Sequence, residues 1–235
     1  MAVIYGRADA EKRLLDGLPD EVKTVDDIRI VHKEMKQEFD SIEDKGLGNK
    51  FKRWKKKRQI NKIEERKKGK WIRGAKGELE VIDKLSELDD IYHVLCGVRM
   101  DLGRYITYHG RKNLRSSQMD FVVVSKKGIV LIEAKNWGNS YVEKNKKKGM
   151  TPHEQVDRAG MVLWIALKSW FSPRNPQVTK VVLANRGNIQ YDPEYKFVNV
   201  KNMDNINPFI QSRYEIFSDK EVERVVGRIK GHVAK

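Results

Sequence analysis

The chain has 235 residues, 39% of them hydrophobic, which is enough for one domain of ordinary size with an appendage. Its 48 Lys and Arg residues outnumber 33 Asp and Glu residues, and the net charge of +15 favours a polyanionic partner such as nucleic acid. The single Cys96 excludes a disulfide framework and a Cys-based zinc site within the chain, and no apolar run approaches the roughly 20 residues of a membrane span, so we expect a cytoplasmic protein without membrane partners.

Residues 1–70 are predicted to form a helical N-terminal extension. Residues 9–18 and 24–42 carry apolar side chains at helical spacing, and Thr24 is the expected N-cap of the second helix. The glycines on either side of Leu47 predict a break after these helices. Helices of this kind could join two copies of the chain, so a homodimer through Asp9–Ile42 is one assembly that the sequence allows.

The extension ends in a basic strip, residues 51–70. Residues 1–50 have a net charge of −3, whereas the strip has a net charge of +9. The strip could be a helix that continues towards Trp71, and a charge run of this kind is either a solvated face or a phosphate-binding surface. It lacks the broad apolar face of helices that attach to membrane surfaces. Its candidates for nucleic-acid contact are Lys52, Arg53, Lys55, Lys56, Lys57 and Arg58.

Residues 71–235 show the pattern of an α/β domain. A helix is predicted over residues 77–88, and strands over 91–100, 119–124 and 128–134, the last two joined by a tight turn. A long helix from Pro152 through Trp170 follows, and then strands over 178–184 and 196–200. A capping box at Ser218 and Glu221 opens the closing helix. The predicted order is α-β-β-β-α-β, followed by a further strand and helix.

Three charged residues stand at the ends of the two strands that the tight turn joins. Asp120 begins one strand and Glu133 ends the other, so antiparallel pairing brings the two carboxylates together. Lys135 lies two residues beyond Glu133 and therefore points to the same face. An ordinary salt-bridge cluster is one interpretation. The other is metal-assisted phosphodiester cleavage, which needs carboxylates for a divalent cation and positive charge for the transition state.

Several segments together resemble the nuclease-related domain (NERD) of the PD-(D/E)xK nuclease superfamily. They are Gly74-Ala-Lys-Gly-Glu78, Met119-Asp-Phe-Val-Val-Val124, Gly128-Ile-Val-Leu-Ile-Glu-Ala-Lys-Asn-Trp-Gly138 and Gln155. The resemblance runs from about residue 74 to about residue 183. It implies a restriction-endonuclease-like core with a mixed central sheet flanked by helices. Met119 departs from the family pattern, because it stands where the superfamily name has Pro.

The resemblance also implies roles for individual residues. Asp120, Glu133, Glu78 and the carbonyl of Ala134 would bind Mg²⁺ or Mn²⁺, which prefer oxygen ligands. Lys135 would orient or activate the attacking water and stabilise the pentavalent phosphorus. Gln155 would lie beside the active site. A catalytic role for His153 is disfavoured, because a histidine in the first turn of a helix is more often a capping or surface residue.

Further residues around the candidate site could contact nucleic acid. Trp137 could stack on a base or cover the edge of the core. Lys146 and Lys147 belong to a basic loop for which solvation is the default interpretation. The segment 103–115 combines basic and aromatic side chains in a predicted loop, and its candidates for backbone contact are Arg111, Lys112 and Arg115.

Two functions follow as hypotheses. The first is a Mg²⁺- or Mn²⁺-dependent endonuclease acting on DNA rather than RNA, with the basic strip adding affinity. The second is a catalytically inactive nucleic-acid-binding module on a nuclease-like scaffold. In the second case, binding would survive loss of Asp120 and would depend on the lysine run.

Overall fold

The computed structural model describes residues 1–43, 45–67, 69–137, 150–171 and 175–234, apart from the Lys70 side chain. The chain divides into two compact units, which we call the helical unit (Ala10–Lys76) and the sheet unit (Met1–Asp9 with Gly77–Lys235). Among the described residues, no helix is both long enough and apolar enough to cross a membrane.

The helical unit contains α1 (Asp9–Leu15), α2 (Asp27–Ser41), α3 (Leu47–Arg66) and the beginning of α4 (Gly69–Ser86). The α2 and α3 helices pack together. The buried apolar side chains of the two helices include Ile28, Val31, Met35, Ile60 and Ile63. The predicted break falls at Gly46, whose φ of +87° is accessible to glycine at little cost. The predicted helix over residues 77–88 begins earlier, at Gly69, and ends at Ser86.

The predicted N-cap of α2 is wrong by two residues, because Asp26 occupies the cap position. Thr24 still organises the turn. Its hydroxyl accepts a hydrogen bond from the Asp27 N–H at 3.3 Å, and its own N–H donates to the Asp27 carboxylate at 2.7 Å. This reciprocal pair satisfies backbone donors that the start of a helix leaves without partners.

The sheet unit is built on one six-stranded sheet in the order β1-β2-β3-β4-β5-β6. Its strands are β1 (Val3–Tyr5), β2 (His93–Tyr108), β3 (Arg111–Ser125), β4 (Gly128–Asn136), β5 (Val178–Arg186) and β6 (Val198–Asn202). The β3 strand is antiparallel to both neighbours, whereas β1 with β2, β4 with β5 and β5 with β6 are parallel pairs. The β1 strand, Val3–Tyr5, was not predicted, since a three-residue strand is too short to show periodicity.

Apolar side chains are divided between the two faces of the sheet, because neighbouring residues of a strand point in opposite directions. Val122 and Leu131 belong to a core with α5 (Pro152–Lys168) and α7 (Asp219–Lys230). Phe121 and Ile132 belong to a second core with α4 and α6 (Ile206–Gln211). Both faces of the central strands are therefore covered, and the charged residues at the ends of these strands stand out.

The segment 103–115, predicted as a loop, is a β-hairpin. Tyr108 pairs with Arg111 across a two-residue turn, in which His109 has φ +44° and Gly110 has φ +76°. Positive φ at both positions is typical of a type I′ turn, for which Asn or Asp is the usual first residue. The sequence hid this turn because histidine occupies that position. Irregular pairing between Asp101 and Thr107 also obscured the alternation along β2.

Other predicted elements are found with small shifts at their ends. The α5 helix begins at Pro152 as predicted, with Thr151 as N-cap, but ends at Lys168. A 3₁₀ turn at Pro193–Tyr195 precedes β6, which begins at Val198 rather than residue 196. The predicted capping box opens α7, because the Ser218 and Glu221 side chains each bond to the other residue's backbone N–H.

Candidate active site

The candidate site lies where β3 and β4 stop pairing. Their ladder ends at Phe121 opposite Ile132. Asp120 stands just beyond this point, and its Oδ2 accepts a hydrogen bond from the backbone N–H of Ala134 at 2.9 Å. A side-chain acceptor thus replaces the carbonyl that a continuing strand would supply. This bond fixes the position of the Asp120 carboxylate relative to the end of β4.

Glu133 and Lys135 form an ion pair on one face of β4. The Lys135 Nζ donates to the Glu133 Oε1 at 2.6 Å, and the two side chains are only 15% and 12% exposed, respectively. The Lys135 ammonium also lies 5.7 Å from the ring centroid of Trp137, within range of a cation–π interaction. The structure therefore brings the predicted residues Glu133, Lys135 and Trp137 together.

Glu78 reaches the same site from α4, and its neighbour Gly77 shows how the helix approaches so closely. A Cβ atom on Gly77 would lie 2.7 Å from both the Cβ and the Nδ2 of Asn136. The carbonyl of Gly77 also accepts a hydrogen bond from the Asn185 Nδ2 at 2.6 Å. Asn136 and Asn185 thus hold the start of this part of α4 against the ends of β4 and β5.

The charges of Glu78, Asp120, Glu133 and Lys135 are close enough to interact. Burial raises the pKa of Asp120 well above its usual range, and repulsion by Glu133 and Glu78 raises it further. The Lys135 charge and the Ala134 N–H only partly oppose this. Burial works to lower the pKa of Lys135, but attraction by Glu133 and Asp120 brings it above its ordinary value. Lys135 is therefore an ammonium among carboxylates that repel one another.

The donor set fits a hard divalent cation in its chemistry. Asp120, Glu133 and Glu78 supply carboxylate oxygens, and a cation among them would relieve their mutual repulsion. Within the described ranges, no three His, Cys, Asp or Glu side chains are already arranged as a metal-binding group. The Glu133 Oε1 accepts from Lys135 and the Asp120 Oδ2 accepts from the Ala134 N–H, so a cation would be bound through the second oxygen of each carboxylate.

Gln155 lies in the first turn of α5, the helix that connects β4 to the parallel strand β5. Such a crossover helix begins at the edge of the sheet where the preceding strand ends, which is the edge that carries Glu133 and Lys135. The Gln155 Nε2 donates to the Met150 carbonyl at 3.4 Å. Its Oε1 is buried and has no hydrogen-bond partner among the described residues. Such an acceptor suits a bound water or ligand donor.

His153 belongs to different surroundings. It is buried rather than on the surface, and its ring centroid lies 6.3 Å from that of Tyr195. Burial lowers its pKa, so the neutral imidazole is favoured.

The predicted phosphate contacts of the basic strip divide into two groups. Exposed side chains are those of Lys52, Lys55, Lys57 and Arg58. Two others, Arg53 and Lys56, make contacts within the helical unit. The Arg53 guanidinium donates to the Ile42 carbonyl at 2.6 Å and lies 4.5 Å from the Phe39 ring centroid, and Lys56 forms an ion pair with Glu38.

The hairpin and the basic loop give a similar division. Arg111 and Lys112 are exposed at the hairpin turn. Arg115 forms an ion pair with Asp101 at 3.1 Å, and so its charge is already partly neutralised. Lys146 and Lys147 lie outside the described residues.

Asn136 and Asn185 are the site residues that sequence reasoning missed. Each comes at the end of a buried strand, where a polar side chain is ordinary. The available signal was the position of Asn136 directly after Lys135, together with the glycine before Glu78.

Residues 73–184 match the family model described as the nuclease-related domain. The matched range contains Glu78, Asp120, Glu133, Lys135 and Gln155, but not helices α1, α2 and α3. No curated protein matches the chain.

Proposed function

We propose that this protein, whose residues 73–184 match the nuclease-related domain, is a metal-dependent nuclease that hydrolyses phosphodiester bonds of DNA as an endonuclease. The observation that carries the proposal is the group of three carboxylates, Glu78, Asp120 and Glu133, coupled to the buried ammonium of Lys135. The order α4-β2-β3-β4-α5-β5 supports a restriction-endonuclease-like core. Buried charges at this density are costly, and a reaction that uses them is the simplest reason for them.

In this proposal, Asp120, Glu133, Glu78 and the Ala134 carbonyl would hold Mg²⁺ or Mn²⁺. The bound cation would supply Lewis-acid polarisation of a phosphoryl oxygen. The Ala134 N–H keeps the Asp120 carboxylate in place, and the contact of Gly77 with Asn136 keeps Glu78 close to it.

Lys135 acts as a donor, because its raised pKa keeps it protonated at neutral pH. An ammonium cannot accept a proton, and so Lys135 orients the attacking water and stabilises the negative charge that gathers on the phosphoryl oxygens. Orientation of the water by Lys135 is therefore favoured over its activation. Glu133, hydrogen-bonded to Lys135 at 2.6 Å, keeps this ammonium at the site.

The exposed cations of the strip and of the hairpin turn would add affinity by contacting phosphates without reading sequence. Lys52, Lys55, Lys57 and Arg58 on α3 supply this charge in the helical unit, and Arg111 and Lys112 supply it in the sheet unit. Binding through such contacts weakens steeply with salt, because neutralised phosphates release counterions.

An inactive nucleic-acid-binding module is the second candidate function. It is favoured by the ion pair of Glu133 with Lys135 and by the absence of a ready-made three-ligand metal group among the described residues. In that case the carboxylates and the ammonium would satisfy one another permanently.

A cleavage and binding assay separates the two functions. Single-stranded, duplex and branched DNA, with matched RNA, are incubated with Mg²⁺, Mn²⁺ or EDTA. The nuclease proposal predicts metal-dependent cleavage by the wild type that Asp120→Ala and Lys135→Ala abolish while the circular-dichroism spectrum is kept. The inactive-module proposal predicts binding that both variants retain, with no cleavage of any substrate.

A further inference from the structure

Helix α3 exposes two aromatic side chains that the core of the helical unit does not use. Phe51 is 64% exposed and Trp54 is 56% exposed. Their ring centroids lie 5.9 Å apart with an interplanar angle of 27°, so the two rings stack on the same helix face. Large aromatic side chains normally bury most of their surface. An exposed stacked pair therefore points to a ligand with flat apolar faces.

Positive charge borders the two rings. The Arg58 guanidinium lies 5.9 Å from the ring centroid of Trp54. Lys55, Arg58 and Lys62 line the same groove as the aromatic pair, and the groove has a volume of about 630 Å³. A ligand that stacks on the rings would thus have cations beside it, which suits the phosphates of a nucleic acid.

Negative charge lies elsewhere in the groove. Asp20 and Glu21, both exposed, also line it. A single strand can turn its phosphates towards the cations and its base edges towards these carboxylates, which can accept hydrogen bonds from the N–H groups of unpaired bases. A duplex carries phosphates along both strands, and it keeps its bases stacked on one another. The combination of rings, cations and carboxylates therefore disfavours a duplex.

We propose that Phe51 and Trp54 form a stacking platform for unpaired bases, and that the helical unit binds single-stranded nucleic acid through this platform. The exposed Leu47 extends the apolar stripe of the helix, which would also suit a protein partner. The charge of this face favours a nucleic acid over a second copy of the chain. The strip of residues 51–70 has a net charge of +9, so a second copy of the same face would be repelled and a polyanion attracted.

This inference deepens the proposed function, because it names an unpaired strand as the preferred form of nucleic acid. The stacking platform and the nuclease activity can be disproved separately. Binding is measured in EDTA, where a metal-dependent nuclease cannot cleave, and so a protein without nuclease activity can still show the platform.

The test measures binding of the full chain to fluorescently labelled oligo(dT), oligo(rU) and a duplex of equal length by anisotropy. Removing a stacking aromatic costs about 1–3 kcal/mol per base, and so Phe51→Ala and Trp54→Ala should each weaken oligo(dT) binding at least about fivefold. Binding of the duplex should change less than about twofold, since paired bases do not stack on the rings. Asp20→Asn with Glu21→Gln should strengthen duplex binding by removing repulsion.

Control variants separate a loss of stacking from a loss of helical structure and from the loss of an unrelated aromatic side chain. Tyr214→Ala removes an aromatic side chain that is 90% exposed in the sheet unit, and it should leave all three affinities unchanged. Alanine favours helix formation, so the variants of α3 should keep the helical circular-dichroism signal. Phe51→Tyr and Trp54→Phe should keep most of the affinity, because they keep the rings.

The platform is overturned if oligo(dT) binding by Phe51→Ala with Trp54→Ala stays within twofold of the wild type. That result would leave Leu47, Phe51 and Trp54 as a surface for a protein. An equal loss of single-strand and duplex binding would also overturn it, because stacking on unpaired bases cannot weaken both equally.

Discussion

The Asp120 carboxylate accepts a hydrogen bond from the Ala134 N–H at 2.9 Å, just beyond the last paired residues of β3 and β4. This contact holds the Asp120 carboxylate beside Ala134, the residue that follows Glu133. Burial and the nearby charges of Glu133 and Glu78 raise the pKa of Asp120. The repulsion among these carboxylates has measurable consequences.

Asp120→Asn should stabilise the metal-free protein. The amide oxygen can still accept the Ala134 N–H, whereas the repulsion by Glu133 and Glu78 is gone. We expect the free energy of unfolding at pH 7 to rise by about 1 kcal/mol, which is within the usual range for one stabilising substitution. Urea denaturation in EDTA measures this change in the free energy of unfolding. Asp101→Asn removes an exposed carboxylate from the same sheet and should give no gain.

The same comparison should depend on pH. Because the pKa of Asp120 is raised in the folded state, the folded protein holds this proton more tightly than the unfolded chain does. The stability that this proton contributes is present below the pKa of the unfolded state, near 4. It is lost as the pH rises through the pKa of the folded state. The gain from Asp120→Asn should therefore shrink towards zero below about pH 4. A gain that grows on acidification would contradict the proposed repulsion.

Metal binding should appear as thermal stabilisation. A ligand that binds only the folded state at a hundred times its dissociation constant adds about 2.7 kcal/mol. Titration with Mg²⁺ or Mn²⁺ should raise the Tm of the wild type, whereas Asp120→Asn and Glu133→Gln should show little response. Asp101→Asn should respond as the wild type does. If all four proteins responded equally, the cations would be bound elsewhere.

Gly77→Ala should lower the cleavage rate, because it should displace Glu78 from the site. The new methyl group would lie 2.7 Å from the Asn136 side chain, and so either helix or strand must shift. Overpacking of this kind costs about 1–3 kcal/mol, and the shift should lower the cleavage rate further. Gly74→Ala is the matched control on the same helix, because its Cβ would meet nothing closer than the Ala10 Cβ at 4.0 Å. Equal effects of the two substitutions on cleavage would rule out a positioning role for Gly77.

Cys96 should be unreactive in the folded protein. Burial raises its pKa to about 12, so the thiolate is scarce at neutral pH. Alkylation by iodoacetamide at pH 8 should follow the opening of the structure, and one equivalent should react in guanidinium, because the chain has one cysteine. Since the folded pKa is raised, this residue's contribution to stability is present below the unfolded value near 9 and is lost between about pH 9 and 12. Rapid alkylation of the native protein would contradict this burial.

The sequence predicted the meeting of Asp120, Glu133 and Lys135 because a tight antiparallel turn fixes which residues come together. The register of two short strands joined by a turn is a local property, so it can be predicted without knowledge of the rest of the fold. The capping box of α7 and the start of α5 were predicted from other local signals, the Ser218 and Glu221 pair and Pro152.

What the sequence did not predict depends on contacts between distant segments. The contact of Gly77 with Asn136 joins residues 59 positions apart in number, and no local pattern marks it. Arg53 and Lys56 look like their exposed neighbours in sequence, and only the packing of α3 on α2 shows that they serve the fold. His109 in a type I′ turn obscured the hairpin for a different reason, since it is an unusual residue for that conformation.

The most direct test of the central claim is the rate of metal-dependent cleavage of DNA by the wild type, Asp120→Asn and Asp101→Asn, each with Mg²⁺ and with Mn²⁺. The account predicts cleavage by the wild type and by Asp101→Asn, and a rate at least about a hundredfold lower for Asp120→Asn, the loss typical of removing one electrostatic contributor. EDTA should stop all cleavage. Cleavage by Asp120→Asn at the wild-type rate, or no cleavage by the wild type with either metal, would contradict it.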